Sequence, residues 1–296
     1  MKSTTKGTIF ILVSAVFYAT YGIWSKIMGH SFGEFTQAWT RGLFLLIIVL
    51  LANQKFKVYK PFKKTDWPWF LAIAFAGGIN QAPYYFGFQH LEIGTATLLF
   101  YASLVIGGYV QSKFALKEKI SGTKLISLFI AIVGMSLIYR FTLSPSQIIP
   151  AVFTCIAGFL GASTVVLTKK LSTNFHELQI MIGYFVMQVV FNLPLAIILK
   201  ETLPAFSDTT AWLAQLAYAI SLFIANFTVI EGFKYLEGSI GSLIGMTEIL
   251  FGIIFGLVLF SEVLTSSTLV GGALIILAAT LPSLIELQNR RNNISR

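Results

Sequence analysis

Charge is scarce in this chain. Asp, Glu, Lys and Arg supply only 11% of its 296 residues, against roughly 25% in an ordinary soluble domain. With 56% hydrophobic residues and a mean hydropathy of +0.79, a water-soluble fold would lack the polar surface to cover itself, so the composition demands an integral membrane protein. Cysteine is nearly absent too. Cys155 stands alone, which excludes an internal disulfide and a cysteine metal cluster. His30, His90 and His176 fall at the ends of apolar runs without ligand spacing, and no His-Glu-x-x-His occurs, so no metal site is expected. Both aspartates, Asp66 and Asp208, lie between apolar runs, which leaves no intramembrane aspartate pair for catalysis. A Gly-x-x-x-x-Gly-Lys-Ser/Thr nucleotide loop is also missing, which excludes a primary pump. Neither an enzyme nor a cofactor is expected.

What is present is organised by length. Apolar runs long enough to cross a hydrocarbon core of about 30 Å lie near 7–28, 35–53, 68–89, 93–114, 121–139, 147–168, 176–199, 210–233, 238–260 and 265–286. The first is too long for a signal-peptide core and no small-residue cleavage site follows it, so it is expected to remain as a span. The pI near 9.6 would suggest nucleic acid in a soluble protein, but here the lysines sit in short loops. One set of loops and ends holds Lys2, Lys6, Lys55, Lys57, Lys60, Lys63, Lys64, Lys113, Lys117, Lys119, Lys124, Lys169, Lys170, Lys234, Arg290, Arg291 and Arg296; the other holds only Lys26, Arg140 and Lys200. By the excess of positive charge on the cytoplasmic side, both termini are expected in the cytoplasm. The protein is then multi-pass in the cytoplasmic (inner) membrane, with the lipid bilayer and a small-molecule substrate as partners and no nucleic acid. A homodimer stays open.

The chain also repeats itself. Gly87-Phe88-Gln89-His90-Leu91-Glu92 returns 145 residues later as Gly232-Phe233-Lys234-Tyr235-Leu236-Glu237, with four positions identical. Lys26 maps onto Lys169, Glu34 onto Glu177, Gln81 onto Asn226, Gly107 onto Gly252 and Glu118 onto Glu262, all at offsets of 143 to 145. A near-constant offset marks one unit written twice, expected as residues 1–144 and 145–296. Each copy holds five spans, an odd number, so the second copy sits upside down. The expected fold is therefore all-α and integral to the membrane, with ten transmembrane helices in two inverted five-helix repeats. That architecture accompanies alternating-access transport with the ligand near the midplane.

Several segments carry a resemblance. The hairpin between the third and fourth runs, Ala96-Thr97-Leu98-Leu99, and Phe114-Ala115-Leu116-Lys117-Glu118-Lys119-Ile120-Ser121 are matched in the second copy. There the counterparts are Ser242-Leu243-Ile244, Leu259-Phe260-Ser261-Glu262-Val263-Leu264-Thr265 and Gly271-Gly272-Ala273-Leu274. Together with Arg41-Gly42-Leu43-Phe44 and with Lys26 and Lys169 at span ends, these resemble the EamA-type family of the drug/metabolite transporter superfamily. The resemblance covers nearly the whole chain. It implies ten helices in inverted repeats and movement, often outward, of small metabolites that range across amino acids, nucleosides, cations and drugs. Where that family often carries proline in its fourth and ninth helices, this chain has Leu104 and Ile249, so those helices are expected to be less kinked.

Candidate binding residues follow from polarity at depth. Glu248 lies about 15 Å into the ninth span at about 1.5 Å per residue. A carboxylate there costs a few kcal/mol unless it faces a cavity or a partner. Gly241, Gly245, Gly252 and Gly256 share its face, a stripe suited to close helix packing, so Glu248 is expected to point inward. It is a candidate for substrate ammonium and the coupling candidate, against the bland alternative of a buried ion pair. Arg41, about 9 Å inside the second span, could hold a carboxylate opposite Glu248, as a zwitterion would require; alternatively it pairs with Glu248 or snorkels to the interface. A polar-aromatic stripe of Ser14, Tyr18, Tyr21 and Ser25, with Asn80, Gln81, Tyr84, Tyr85, Tyr101, Ser163, Thr164, Tyr184, Gln188, Gln215, Tyr218 and Asn226, marks a cavity lined by the first to fourth and sixth to ninth spans. For any single tyrosine, an interhelical hydrogen bond is the commoner role. The resulting function is a secondary-active or facilitative transporter, working as an exporter, of small polar metabolites such as amino acids. Export of cationic or drug-like compounds, or a channel-like facilitator, is the alternative.

Overall fold

The computed structural model describes residues 3–29, 31–91, 93–139, 143–261 and 263–294. Lys2, His30, Glu92, Arg140, Glu262 and Arg296, all used above, lie outside the described residues, as do the side chains of Tyr85, Phe88, Gln89, Arg290 and Arg291. Among the described residues every regular element is helical. In chain order they are α1 (Ser3–Ala19), α2 (Tyr21–Met28), α3 (Glu34–Phe56), α4 (Trp67–Ile79), α5 (Gln81–His90), α6 (Ile93–Phe114) and α7 (Gly122–Ile138). A short 3-10 turn (Pro145–Gln147) then leads into α8 (Ile148–Val166), α9 (Lys169–Ser172), α10 (Glu177–Ile198), α11 (Thr209–Phe233), α12 (Gly238–Gly245), α13 (Thr247–Phe260) and α14 (Ser266–Ile294).

Six helical stretches of the described residues are long and apolar enough to cross a bilayer: Thr4–Met28, Glu34–Phe56, Pro145–Ser172, Glu177–Ile198, Thr209–Phe233 and Gly238–Phe260. Gly122–Ile138 and Ser266–Pro282 are shorter apolar helices. Large apolar side chains such as Leu51, Phe129, Ile149, Val190 and Val258 stand exposed on the outside of the bundle. This is the surface a lipid solvent requires, with helices pairing backbone polar groups inside the segment.

Several helix junctions are bends rather than breaks. Thr20, Asn80 and Met246 keep right-handed helical dihedrals between α1 and α2, α4 and α5, and α12 and α13. The cause at Asn80 is Pro83, which cannot donate to the carbonyl of Ile79 and crowds it. At the other two bends a threonine hydroxyl takes a carbonyl three residues back: Thr20 Oγ1 donates to Phe17 O at 2.6 Å and Thr247 Oγ1 to Ile244 O at 2.7 Å. The chain therefore bends its ninth span without the proline whose absence at Ile249 pointed to a straighter helix, whereas α6, with Leu104, is uninterrupted.

Helices pack mainly across the two halves of the chain. α1 lies on α11, α6 on α8, α3 and α4 on α10, and α7 on α14. Exchanging the halves leaves this pattern unchanged: α6 on α8 becomes α12 and α13 on α1, and α4 on α10 becomes α11 on α3. Close approach is bought with glycine, as where Gly158 of α8 meets the Phe100 carbonyl of α6.

Candidate substrate cavity

The interface between the halves does not close completely. An inner cavity of about 180 Å³ is walled by α1, α2, α4, α5, α6, α8, α10, α11, α12 and α13. It adjoins an outer chamber of about 310 Å³ that runs between α2 and α13 to Lys26 and Phe260 at one end of the bundle. Tyr18, Tyr21, Tyr84, Tyr101 and Glu248 border both spaces.

Of the residues selected by polarity at depth, Tyr18, Tyr21, Asn80, Gln81, Tyr84, Tyr101, Gln188, Tyr218, Asn226 and Glu248 line the inner cavity together. Ser14, Thr164 and Tyr184 line it as well. Ser163 does not: it accepts a 2.7 Å hydrogen bond from Gln111 in the α6–α8 contact. Arg41 is also outside the wall. Its side chain is fully buried behind Tyr218, with Nη2 donating to Gln81 at 3.1 Å and the guanidinium 4.2 Å from the Tyr218 ring. Burial of this kind rules out snorkelling to the interface, and α3 contributes no residue to the cavity. The physical reason is that a guanidinium finds a hydrogen bond and a π face closer at hand than the open space beyond them.

Glu248 is partly buried and opens on both chambers. Tyr101 Oη donates to its Oε1 at 2.6 Å. The glycines on its face divide: Gly241 packs closely as expected, a Cβ there meeting the Phe233 ring at 2.7 Å, whereas Gly245 and Gly252 do not. Gly241 and Gly245 line the inner cavity and Gly252 and Gly256 the outer chamber, and a Cβ on Gly245 or Gly252 would meet nothing within 4 Å. Small residues here keep the space open.

The polar wall is internally cross-linked. Tyr18 and Tyr184 both donate to Asn226 Oδ1, at 3.0 and 3.3 Å, and Gln81 donates to Asn80 at 3.0 Å. Rings meet edge to face in series from Tyr218 through Tyr21, Tyr84 and Phe100 to Tyr101, with centroids 4.7 to 5.6 Å apart. Phe100, Phe185, Leu222 and Phe233 also line the cavity. Sequence polarity could not find them, because an apolar wall residue has the same letters as a core residue.

The lysine-rich end of the bundle is tied shut. Lys6 of α1 meets Tyr235 at 2.6 Å and Glu231 at 3.5 Å. Lys124 pairs with Glu237. Lys169 holds Glu118 at 2.9 Å and the Leu236 carbonyl at 2.8 Å, while Glu118 caps α12 by accepting from Gly238 N at 2.9 Å. Apart from the Lys169–Leu236 bond, each of these joins one half of the chain to the other. Lys234 bridges Glu177 and Glu231; burial pulls its pKa down, but the two carboxylates outweigh it and hold the ammonium above the ordinary lysine value. In the sequence, topology alone accounts for these lysines, so nothing there demands the pairing. The signal available was the set of acids, Glu118, Glu177, Glu231 and Glu237, in the same loops and helix ends.

The chain is thus a multi-pass bundle of apolar helices around a cavity with an aromatic and polar lining that continues to one end of the bundle. The EamA-like transporter family matches the chain twice, over residues 5–140 and 148–284, and the chain belongs to that family. A protein of Clostridium kluyveri described as an uncharacterized transporter is 25% identical over 180 residues, which cover 56% of this chain and 56% of that protein. The match thus spans little more than half that relative's length. A solved structure titled only as a crystal structure of a protein superimposes with a TM-score of 0.78 at 15% identity, covering 95% of this chain and 97% of the other. At that identity the likeness concerns the fold.

Proposed function

We propose that the chain is a secondary-active or facilitative carrier that moves small organic metabolites by alternating access, with ten spans arranged as two inverted five-helix repeats. The observation that carries this reading is a polar cavity between the halves, extended by a chamber to one end and closed at the other by ion pairs between the halves. A carrier needs a site reachable from one side at a time. With the lysine-rich end in the cytoplasm, as the distribution of positive charge favours, the cavity here faces away from the cytoplasm, the state in which an exporter releases its substrate. Lys169 in the latched end and Lys26 beside the open chamber are repeat mates, as expected if the two ends exchange roles.

The test is counterflow in proteoliposomes with a labelled panel of amino acids, nucleosides and organic cations. Saturable uptake driven by an outward gradient of unlabelled solute supports a carrier. Flux that rises linearly with concentration and shows no counterflow would replace it with a channel-like facilitator.

A further inference from the structure

Resting on the carrier reading, we infer that the cavity selects a small organic cation, an amine with a neutral, largely aromatic or apolar body, over a zwitterion or an anion. The first observation is the state of Glu248. A carboxylate offers about four acceptor positions, and among the described residues Glu248 takes one hydrogen bond, from Tyr101, and no ion pair. A charged group at this depth is costly without a partner. The geometry leaves its partner's place in the cavity, where a ligand ammonium would supply both charge and donors.

The second observation is the absence of an opposite site. Among the described residues no Lys, Arg or His lines the inner cavity. Arg41, which would have received a carboxylate, is turned to Gln81 and the Tyr218 ring behind the wall. Part of the neutral donor set is committed within the wall, Tyr18 and Tyr184 to Asn226, Gln81 to Asn80 and Gln188 to the Ala38 carbonyl, and the Asn80 amide and Ser14 hydroxyl beside them carry no charge. A ligand carboxylate would therefore lose its water and meet neutral donors but no cation in exchange. Lys26 borders only the outer chamber, over the Phe260 ring at 3.9 Å, so any hold on a carboxylate would come there and not in the inner cavity.

The third observation is the series of rings from Tyr218 to Tyr101 that ends at the Glu248 carboxylate. Such a wall suits an aromatic body, and its faces attract positive charge.

Three probes sharing one ring separate the head groups: phenethylamine, phenylalanine and phenylacetate, each tested by counterflow and by competition in proteoliposomes. Phenethylamine is expected to half-saturate at a concentration about tenfold or more below phenylalanine, the scale of one charge-assisted hydrogen bond, and phenylacetate to neither move nor compete. Glu248→Gln is expected to abolish that preference. Glu248→Asp, which keeps the charge, should retain the preference at weaker affinity, and Lys26→Gln should leave it unchanged. Phenylalanine equal to or better than phenethylamine would overturn the inference, as would a preference that survives Glu248→Gln or vanishes with Lys26→Gln. Silence of all three probes would overturn it too. The carrier reading would survive that result if any other member of the wider panel gave counterflow, and would fall with it if none did.

Discussion

Glu118→Gln isolates the closure of the lysine-rich end. The Glu118 carboxylate is 9% exposed and Lys169 26%, so the pair is partly shielded from solvent without being fully dry. It accepts from Lys169 Nζ at 2.9 Å and from the backbone of Gly238 at 2.9 Å and Ser239 at 3.4 Å. An exposed ion pair is worth about 0–1 kcal/mol, and a hydrogen bond to a charged group about 1.5–3 kcal/mol. Glutamine keeps the shape and one acceptor but loses the charge, so about 2 kcal/mol is a fair loss for the closed end. That shifts the closed-to-open ratio of this end roughly 30-fold. An open state held at about 1% would rise to about a fifth. The assay places one cysteine at Ser242, on the cavity wall one turn into α12, in a Cys155→Ala background. A membrane-impermeant maleimide is then offered from the lysine-rich side of oriented vesicles. Labelling should accelerate by about 20-fold in Glu118→Gln, in step with the open fraction, and Lys169→Gln should behave alike. Identical labelling in folded parent and variants would refute the reasoning and leave the pair as static bracing.

Three further outcomes follow from the same geometry. Gly245→Ala, with its Cβ in open space, should gain about 0.5–1 kcal/mol of helix stability and keep transport, while Gly245→Leu should fill the cavity and stop counterflow without lowering the unfolding temperature. Gly158→Ala would instead press a Cβ on the Phe100 carbonyl, with Ser103 Cβ at 2.9 Å and Leu104 N at 3.0 Å; backbone cannot step aside, and thermal unfolding should register a loss of about 1–3 kcal/mol. Arg41→Ala removes a fully buried side chain, a hydrogen bond and a cation–π contact, so a loss of about 2–4 kcal/mol in unfolding measurements is expected, with the ratio of phenethylamine to phenylalanine affinities unaltered.

The sequence by itself determined the helical membrane architecture, because a bilayer forces its terms on local stretches of chain. Each apolar run must satisfy its own backbone, so length and hydropathy suffice to find it. The constant offset between Gly87 and Gly232, or Lys26 and Lys169, needs no coordinates. Polarity at depth likewise singled out Glu248 and the tyrosines, since lipid tolerates such groups only where they turn inward. Tertiary structure decided what each group turns toward. Arg41 and Glu248 share a similar depth, yet one is spent behind Tyr218 and the other opens on the cavity. The glycines beside Glu248 make room where a stripe of that kind also suits packing. Lys6 and Glu231, or Glu118 and Lys169, become ion pairs only because helices far apart in sequence converge at one end. Those choices rest on the direction of a side chain and the identity of its neighbour across the two halves. A one-dimensional pattern records neither, because both are fixed only when the halves pack.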